Sequence, residues 1–159
     1  MEYTSKNDTF LEQEYNLGII NRLEEEYEFD LIDEFVEHLG FMCSSLDLLI
    51  LGLEKHETYG SNVQELFRIF HNIKSASSFF KLSQMSKLSQ LVEDVLEEAR
   101  ASDGYATQDF IDWLLIIADQ FVKWKNNMEQ NEETLSGYNP RLIKIPKKLV
   151  VTEGASGEN

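Results

Sequence analysis

The 159-residue chain is 42% hydrophobic and 27% charged, a composition that suits one globular domain, since a chain of this size buries roughly 70% of its unfolded surface. Its 29 Asp and Glu against 14 Lys and Arg leave a net charge of −15, which argues against a nucleic-acid partner and an anionic membrane surface, both of which draw on clustered cations. Cys43 stands alone, so no internal disulfide or paired-cysteine zinc site is expected, and His38, His56 and His71 form no metal-binding pattern.

The N-terminal stretch carries acids and no apolar run, so no signal peptide is expected. Residues 1–27 read as an N-terminal extension, with a helix from Phe10 to Tyr27 that carries Leu17, Ile20, Leu23 and Tyr27 on one face. From Asp30 to about Lys55, Ile32, Phe35, Leu39, Met42, Leu46, Leu49 and Leu53 recur at steps of three and four, the apolar stripe of a long helix. No stretch reaches the ~18 uninterrupted apolar residues of a membrane span, so a cytoplasmic location is expected.

A turn is predicted at His56–Gly60, after which Ser61 offers an N-cap with Gln64 at the capping-box position. The helix that follows shows Leu66, Ile69, Phe70, Ile73 and Phe80 on one face. A break near Lys81–Leu82 leads to Ser83, which reads as the cap of a helix faced by Leu88, Leu91, Val92, Val95 and Ala99. The turn ending at Gly104 precedes Thr107, which reads as the cap of a last helix carrying Phe110, Trp113, Leu114, Ile117, Phe121 and Trp124. Long amphipathic helices joined by short loops predict an all-α, antiparallel up-and-down bundle over residues 28–130, a four-helix core with an additional N-terminal helix.

Residues 131–159 differ in kind. Both prolines, Pro140 and Pro146, lie here, beside Arg141, Lys144, Lys147 and Lys148. This basic segment reads either as a flexible tail or linker or as a docking segment that lies on its own bundle or on a partner. The last seven residues are expected to be disordered. The chain has neither of the glycine-rich phosphate loops, GxGxxG or GxxxxGK[ST], so a self-contained kinase is not expected.

On a wheel at ~100° per residue, His71 lies roughly 140° from the apolar centre of its helix, facing solvent or a partner, with Lys74, Ser75 and Ser78 beside it. Glu93 lies as far after Leu82 as His71 lies before it. In an antiparallel hairpin, residues equidistant from the turn sit level, so a hydrogen bond from His71 Nδ1–H to Glu93 is geometrically plausible. Such a bond leaves Nε2 unprotonated, as a nucleophilic histidine requires. On residue pattern alone, an ordinary solvated histidine fits the same position.

Residues 66–100 resemble the histidine phosphotransfer (Hpt) family, and within it the N-terminal phosphoacceptor domain of the chemotaxis kinase CheA. In that family an aromatic-containing helix carries His-x-x-Lys-Gly followed by small and aromatic residues, and the next helix carries an acid. Here the stretch reads His71-Asn72-Ile73-Lys74-Ser75-Ala76-Ser77-Ser78-Phe79-Phe80, with Glu93 at the acid position. Ser75 stands where the family usually has Gly, and Gln90 where CheA relatives often carry a second histidine.

The resemblance implies that His71 accepts a phosphoryl group on Nε2. Glu93 then orients the imidazole, Lys74 attracts the phosphoryl oxygens, and Ser75, Ser78 and Gln90 face the partner. It implies a phosphocarrier and not an enzyme, with a histidine kinase catalytic domain and a response-regulator receiver domain as partners. No cofactor of its own is expected, Mg²⁺ and ATP coming with the partner. The alternative is a phosphorylation-independent helical interaction or adaptor module.

Overall fold

The computed structural model describes residues 18–152. Four long helices form the bundle: α2 (Phe29–Leu51), α3 (His56–Phe79), α4 (Ser83–Arg100) and α5 (Gln108–Glu129). A short α1 (Ile19–Leu23) precedes them, and a two-stranded antiparallel sheet joins β1 (Gly104–Ala106) to β2 (Val150–Thr152). The fold is therefore an all-α bundle with a minimal sheet at one end.

The α2 stripe forms as its period predicts: Ile32, Phe35, Leu39, Met42, Leu46 and Ile50 are buried. The segment Phe29–Glu54 is long and apolar enough to cross a bilayer by length and composition, yet here that stripe belongs to the bundle core. α2 ends in a single 3-10 turn at Gly52–Glu54. Its free C-terminal carbonyls are taken by α3 side chains, Asn62 Nδ2 donating to Leu49 O at 3.0 Å and Thr58 Oγ1 to Gly52 O at 2.6 Å. Asn62 comes so close that a Cβ at Gly52 would collide with its amide.

The break between the first two long helices thus falls at Gly52–Lys55, and the predicted turn at His56–Gly60 is helical. α3 begins at His56 after an extended Lys55 that makes no side-chain cap, so Ser61 is not the N-cap and Gln64 closes no capping box. Burial decides this. Tyr59 is only 2% exposed and its hydroxyl donates to Ala99 O at 2.6 Å. Drawing that ring into the core offsets the roughly 1 kcal/mol that Gly60 costs inside a helix.

α3 stops where expected. Lys81 adopts a left-handed φ of 59°, and Leu82 N–H donates back to Ser77 O while Lys81 N–H donates to Ser78 O. Ser83 is the first helical residue of α4, and the cap position belongs to Leu82, with no side-chain cap bond. Thr107 does cap α5, accepting from Phe110 N at 3.1 Å. Its hydroxyl also donates to Lys148 O at 2.8 Å, so one side chain ends a helix and fastens the tail. Thr107→Ala is expected to cost about 1–2 kcal/mol, read as a lower urea midpoint with an unchanged slope.

The predicted Phe10–Tyr27 helix is corrected where it can be seen. Gly18 is extended, α1 runs only to Leu23, and the acids at 24–26 lie in the following turn; Phe10–Leu17 lie outside the described residues. α1 docks on the end of α5, with Ile19 N–H donating to Glu132 O and Ile20 N–H to Asn131 Oδ1.

Of the two readings of the basic tail, the structure has residues 131–152 docked on their own bundle. They run back along α5. Ser136 O accepts from Trp124 Nε1 at 2.7 Å, Gly137 O from Gln120 Nε2 at 3.3 Å, and Leu142 O from Trp113 Nε1 at 3.1 Å. Leu142 and Leu149 are buried, and Val150–Thr152 then pair with Gly104–Ala106. The cause lies in α5, where two indole N–H groups and a buried amide need partners that the other helices do not supply. The disorder expected for the last seven residues concerns positions outside the described residues.

Candidate histidine site

His71 sits mid-way along α3 on an open helix face, its side chain 53% exposed. α4 runs antiparallel beside it and brings Glu93 level. Nδ1 of His71 lies 2.9 Å from Glu93 Oε2, and Lys74 Nζ donates to Glu93 Oε1 at 2.8 Å. The hydrogen bond anticipated from the hairpin register is therefore present. The register follows from the buried stripes: Ile73 and Phe70 on α3 and Val92 and Leu96 on α4 face inward, which leaves His71 and Glu93 at the shared edge.

Glu93 is the enclosed member of the group, with a side chain only 12% exposed. Burial pushes its carboxyl up, but hydrogen bonds from Lys74 and His71, with their charges, outweigh that and hold it below its ordinary value. Both of its oxygens are engaged. In the neutral ring, with Nδ1–H donated to Glu93, Nε2 carries the lone pair, and Nε2 has no hydrogen-bond partner among the described residues. The arrangement presents an exposed imidazole backed by an enclosed carboxylate and a partly buried ammonium.

The lowered carboxyl has a consequence for stability. Its folded-state value lies below the ordinary 4.5 of the unfolded chain, so the stabilisation is fully present above that value and is lost as the pH falls through the lowered one. Glu93→Gln is expected to show a shallower fall of its urea midpoint between about pH 5 and pH 3 than the parent chain; equal slopes would show that the network does not hold the proton off.

The remaining candidates are placed as follows. Ser75 and Ser78 are exposed on the same side of α3. Gln90 is exposed on α4, but its amide donates to Asp94 Oδ1 at 2.8 Å, so it faces outward without reaching the imidazole. Sequence reasoning missed Phe67, whose ring lies nearly parallel to that of His71, 10° apart with centroids at 6.4 Å; its i, i+4 spacing from His71 was the available signal. Among the described residues no group of three or more His, Cys, Asp or Glu is placed to hold a metal ion. Burial pushes the Cys43 thiol up to about 11, with Lys125 opposing and Glu129 adding to the shift, so it is not a poised nucleophile.

Known proteins are similar to part of this chain. The chain is 31% identical over 83 residues to the chemotaxis protein CheA of Listeria monocytogenes, a match covering 52% of this chain and 13% of that one. It is 30% identical over 90 residues to the sensor histidine kinase CheAY of Helicobacter pylori, covering 57% and 11%. It is 35% identical over 88 residues to CheA of Bacillus subtilis, covering 55% and 12%. The matched region is thus a small fraction of each relative's length. No solved structure is significantly similar to the chain. The model of the Hpt domain family matches residues 30–133, and with that match spanning well over half of its length the chain belongs to the histidine phosphotransfer (Hpt) domain family.

Proposed function

We propose that His71 is the phosphoacceptor of a phosphorelay module of the chemotaxis type, taking a phosphoryl group from a histidine kinase catalytic domain or a receiver and passing it to a receiver aspartate. The observation that carries this reading is the His71–Glu93 pair: Nδ1 lies 2.9 Å from Glu93 Oε2, which favours the tautomer with its proton on Nδ1, while Nε2 has no hydrogen-bond partner among the described residues. The Nε2 lone pair attacks phosphorus in line, and the bond from phosphorus to its leaving oxygen, of ADP or of a receiver carboxylate, breaks. The imidazole then carries a positive charge, which the Glu93 carboxylate offsets across the retained Nδ1–H bond. In the return step a receiver carboxylate oxygen attacks phosphorus, the N–P bond breaks and its electron pair returns to Nε2.

Lys74 stands one turn from His71 and already pairs with Glu93. In this reading it serves both the carboxylate and the incoming phosphoryl oxygens. Mg²⁺, which neutralises charge on the phosphoryl oxygens, would come with the partner, because both Glu93 oxygens are already engaged. The chain acts as a carrier, so ATP and the receiving aspartate belong to partners, and Ser75, Ser78 and Gln90 line the approach. This reading places it in the cytoplasm with them.

The test is intact mass after incubation with a CheA-type kinase core, Mg²⁺ and ATP, and separately with phosphoramidate. One phosphoryl that is acid-labile and alkali-stable is expected. Persistent failure of the folded chain with both donors would favour a module that signals by binding alone.

A further inference from the structure

We propose that Arg100 is a positioning residue for His71, acting through Phe67 as a clamp that sets the plane of the imidazole; this rests on the phosphoacceptor reading above. One hydrogen bond at Nδ1 fixes one edge of the ring but lets it rock about that edge, which swings Nε2. Phe67 bounds the rock. Its ring lies one turn before His71 on α3, tilted by only 10° at a centroid distance of 6.4 Å, within the range of offset aromatic stacking.

Phe67 is itself half-buried on an open face and needs a brace. Arg100, near the end of α4, lays its guanidinium carbon 3.9 Å from the Phe67 centroid. The guanidinium is held from both helices: Nη1 donates to Gln64 Oε1 of α3 at 3.2 Å, and Nε pairs with Glu97 Oε2 of α4 at 2.6 Å. The hairpin register that sets His71 level with Glu93 also sets Gln64 level with Arg100. α4 therefore grips the histidine twice, once through Glu93 and once through the Arg100–Phe67 stack. Arginine suits this role because a flat, fixed fork can lie on a ring and still hydrogen-bond at its edges, whereas an ammonium cannot.

The experiment uses the full chain, with phosphoramidate as a donor that makes no docking contacts. Arg100→Ala and Phe67→Leu are each expected to take up phosphoryl about tenfold more slowly, as a loosened attack geometry predicts. The double variant is expected to be no slower than Phe67→Leu alone, because both changes remove one path. Phe67→Tyr, which keeps the ring, is expected to restore the rate, and Arg100→Lys to restore little of it. In parallel, the ring-current shifts of the His71 Cδ2 and Cε1 protons are expected to collapse in Arg100→Ala while its helical circular dichroism stays unchanged; if that variant does not fold, Arg100→Gln takes its place.

Additive rate losses, or His71 shifts unmoved by Arg100→Ala, would overturn the clamp. A loss seen with the kinase core but not with phosphoramidate would overturn it too, by making Arg100 a docking contact. A parent chain that takes up no phosphoryl from either donor would defeat the phosphoacceptor reading alone, since the proton shifts still report on the clamp.

Discussion

His71→Gln is expected to remain folded and to take up no phosphoryl above background, while His38→Gln and His56→Gln keep the parent stoichiometry in the same intact-mass assay. The contrast with His56 is the informative part, because that side chain is also paired with a carboxylate. Its Nε2 lies 3.1 Å from Asp103 Oδ1, but the Asp103 side chain is 91% exposed against 12% for Glu93. A carboxylate that water solvates so fully fixes a ring weakly, whereas an enclosed one with a second donor on it cannot turn away. His56 also opens α3, where the positive end of the helix dipole disfavours the charge that a phosphorylated imidazole carries. His38 is exposed, with no carboxylate bond among the described residues. Position 71 is exposed on α3, so loss of uptake in a folded variant would reflect the missing nitrogen and not the fold. Uptake that survives in His71→Gln and vanishes in His56→Gln would move the site to the N-terminal end of α3.

How far the sequence alone reaches follows from which interactions are local. The inward faces of the four long helices are legible because their apolar residues recur at the helical period, and the His71–Glu93 pairing follows from a short hairpin with a clear break at Lys81–Leu82. The start of α3 is not legible in the same way. Gly60 and Ser61 punctuate the sequence, and it is a distant contact, the burial of Tyr59 with its hydroxyl on Ala99 O, that carries the helix through them. The cap of α4 falls one residue early because Ser83 can as well begin a helix as cap it. Gly18 interrupts what an apolar period alone extends. The Arg100–Phe67 contact joins two helices through side chains that each look like ordinary surface residues. The docking of the tail was left open by the sequence, and its cause is seen only in the structure: Trp113, Gln120 and Trp124 place polar atoms on a face that is otherwise core, and buried polar atoms need partners.

That demand makes Trp124→Ala the substitution with the largest expected effect on stability, about 3–5 kcal/mol, read as a fall in the urea midpoint. Trp124 is fully buried, meets Phe121 and Tyr138 edge-on at 5.1 and 5.8 Å, and holds Ser136 O by its indole N–H at 2.7 Å. Since a domain of this kind has only about 5–15 kcal/mol in all, such a loss brings the bundle close to unfolding. Trp124→Phe should cost far less: Ser136 O keeps its second donor, Gln84 Nε2 at 2.8 Å, so no buried carbonyl is orphaned and about 1 kcal/mol of hydrogen bonding is lost. The same carbonyl explains why the effect reaches the site. Ser136 O joins α5 through Trp124 to α4 through Gln84, and Tyr138 Oη ties back to Gln84 O at 2.8 Å, so the tail fills the seam between the helix that carries Glu93 and its neighbour. Amide exchange at Ser136 and Asn139 is expected to accelerate in Trp124→Ala before the α3 core does. Residual folded protein should also take up phosphoryl more slowly than the parent, because α4 has lost one of the ties that hold Glu93 level with His71. A loss below about 1 kcal/mol, with exchange in the tail unchanged, would mean that the tail merely rests on α5 and that the bundle stands without it.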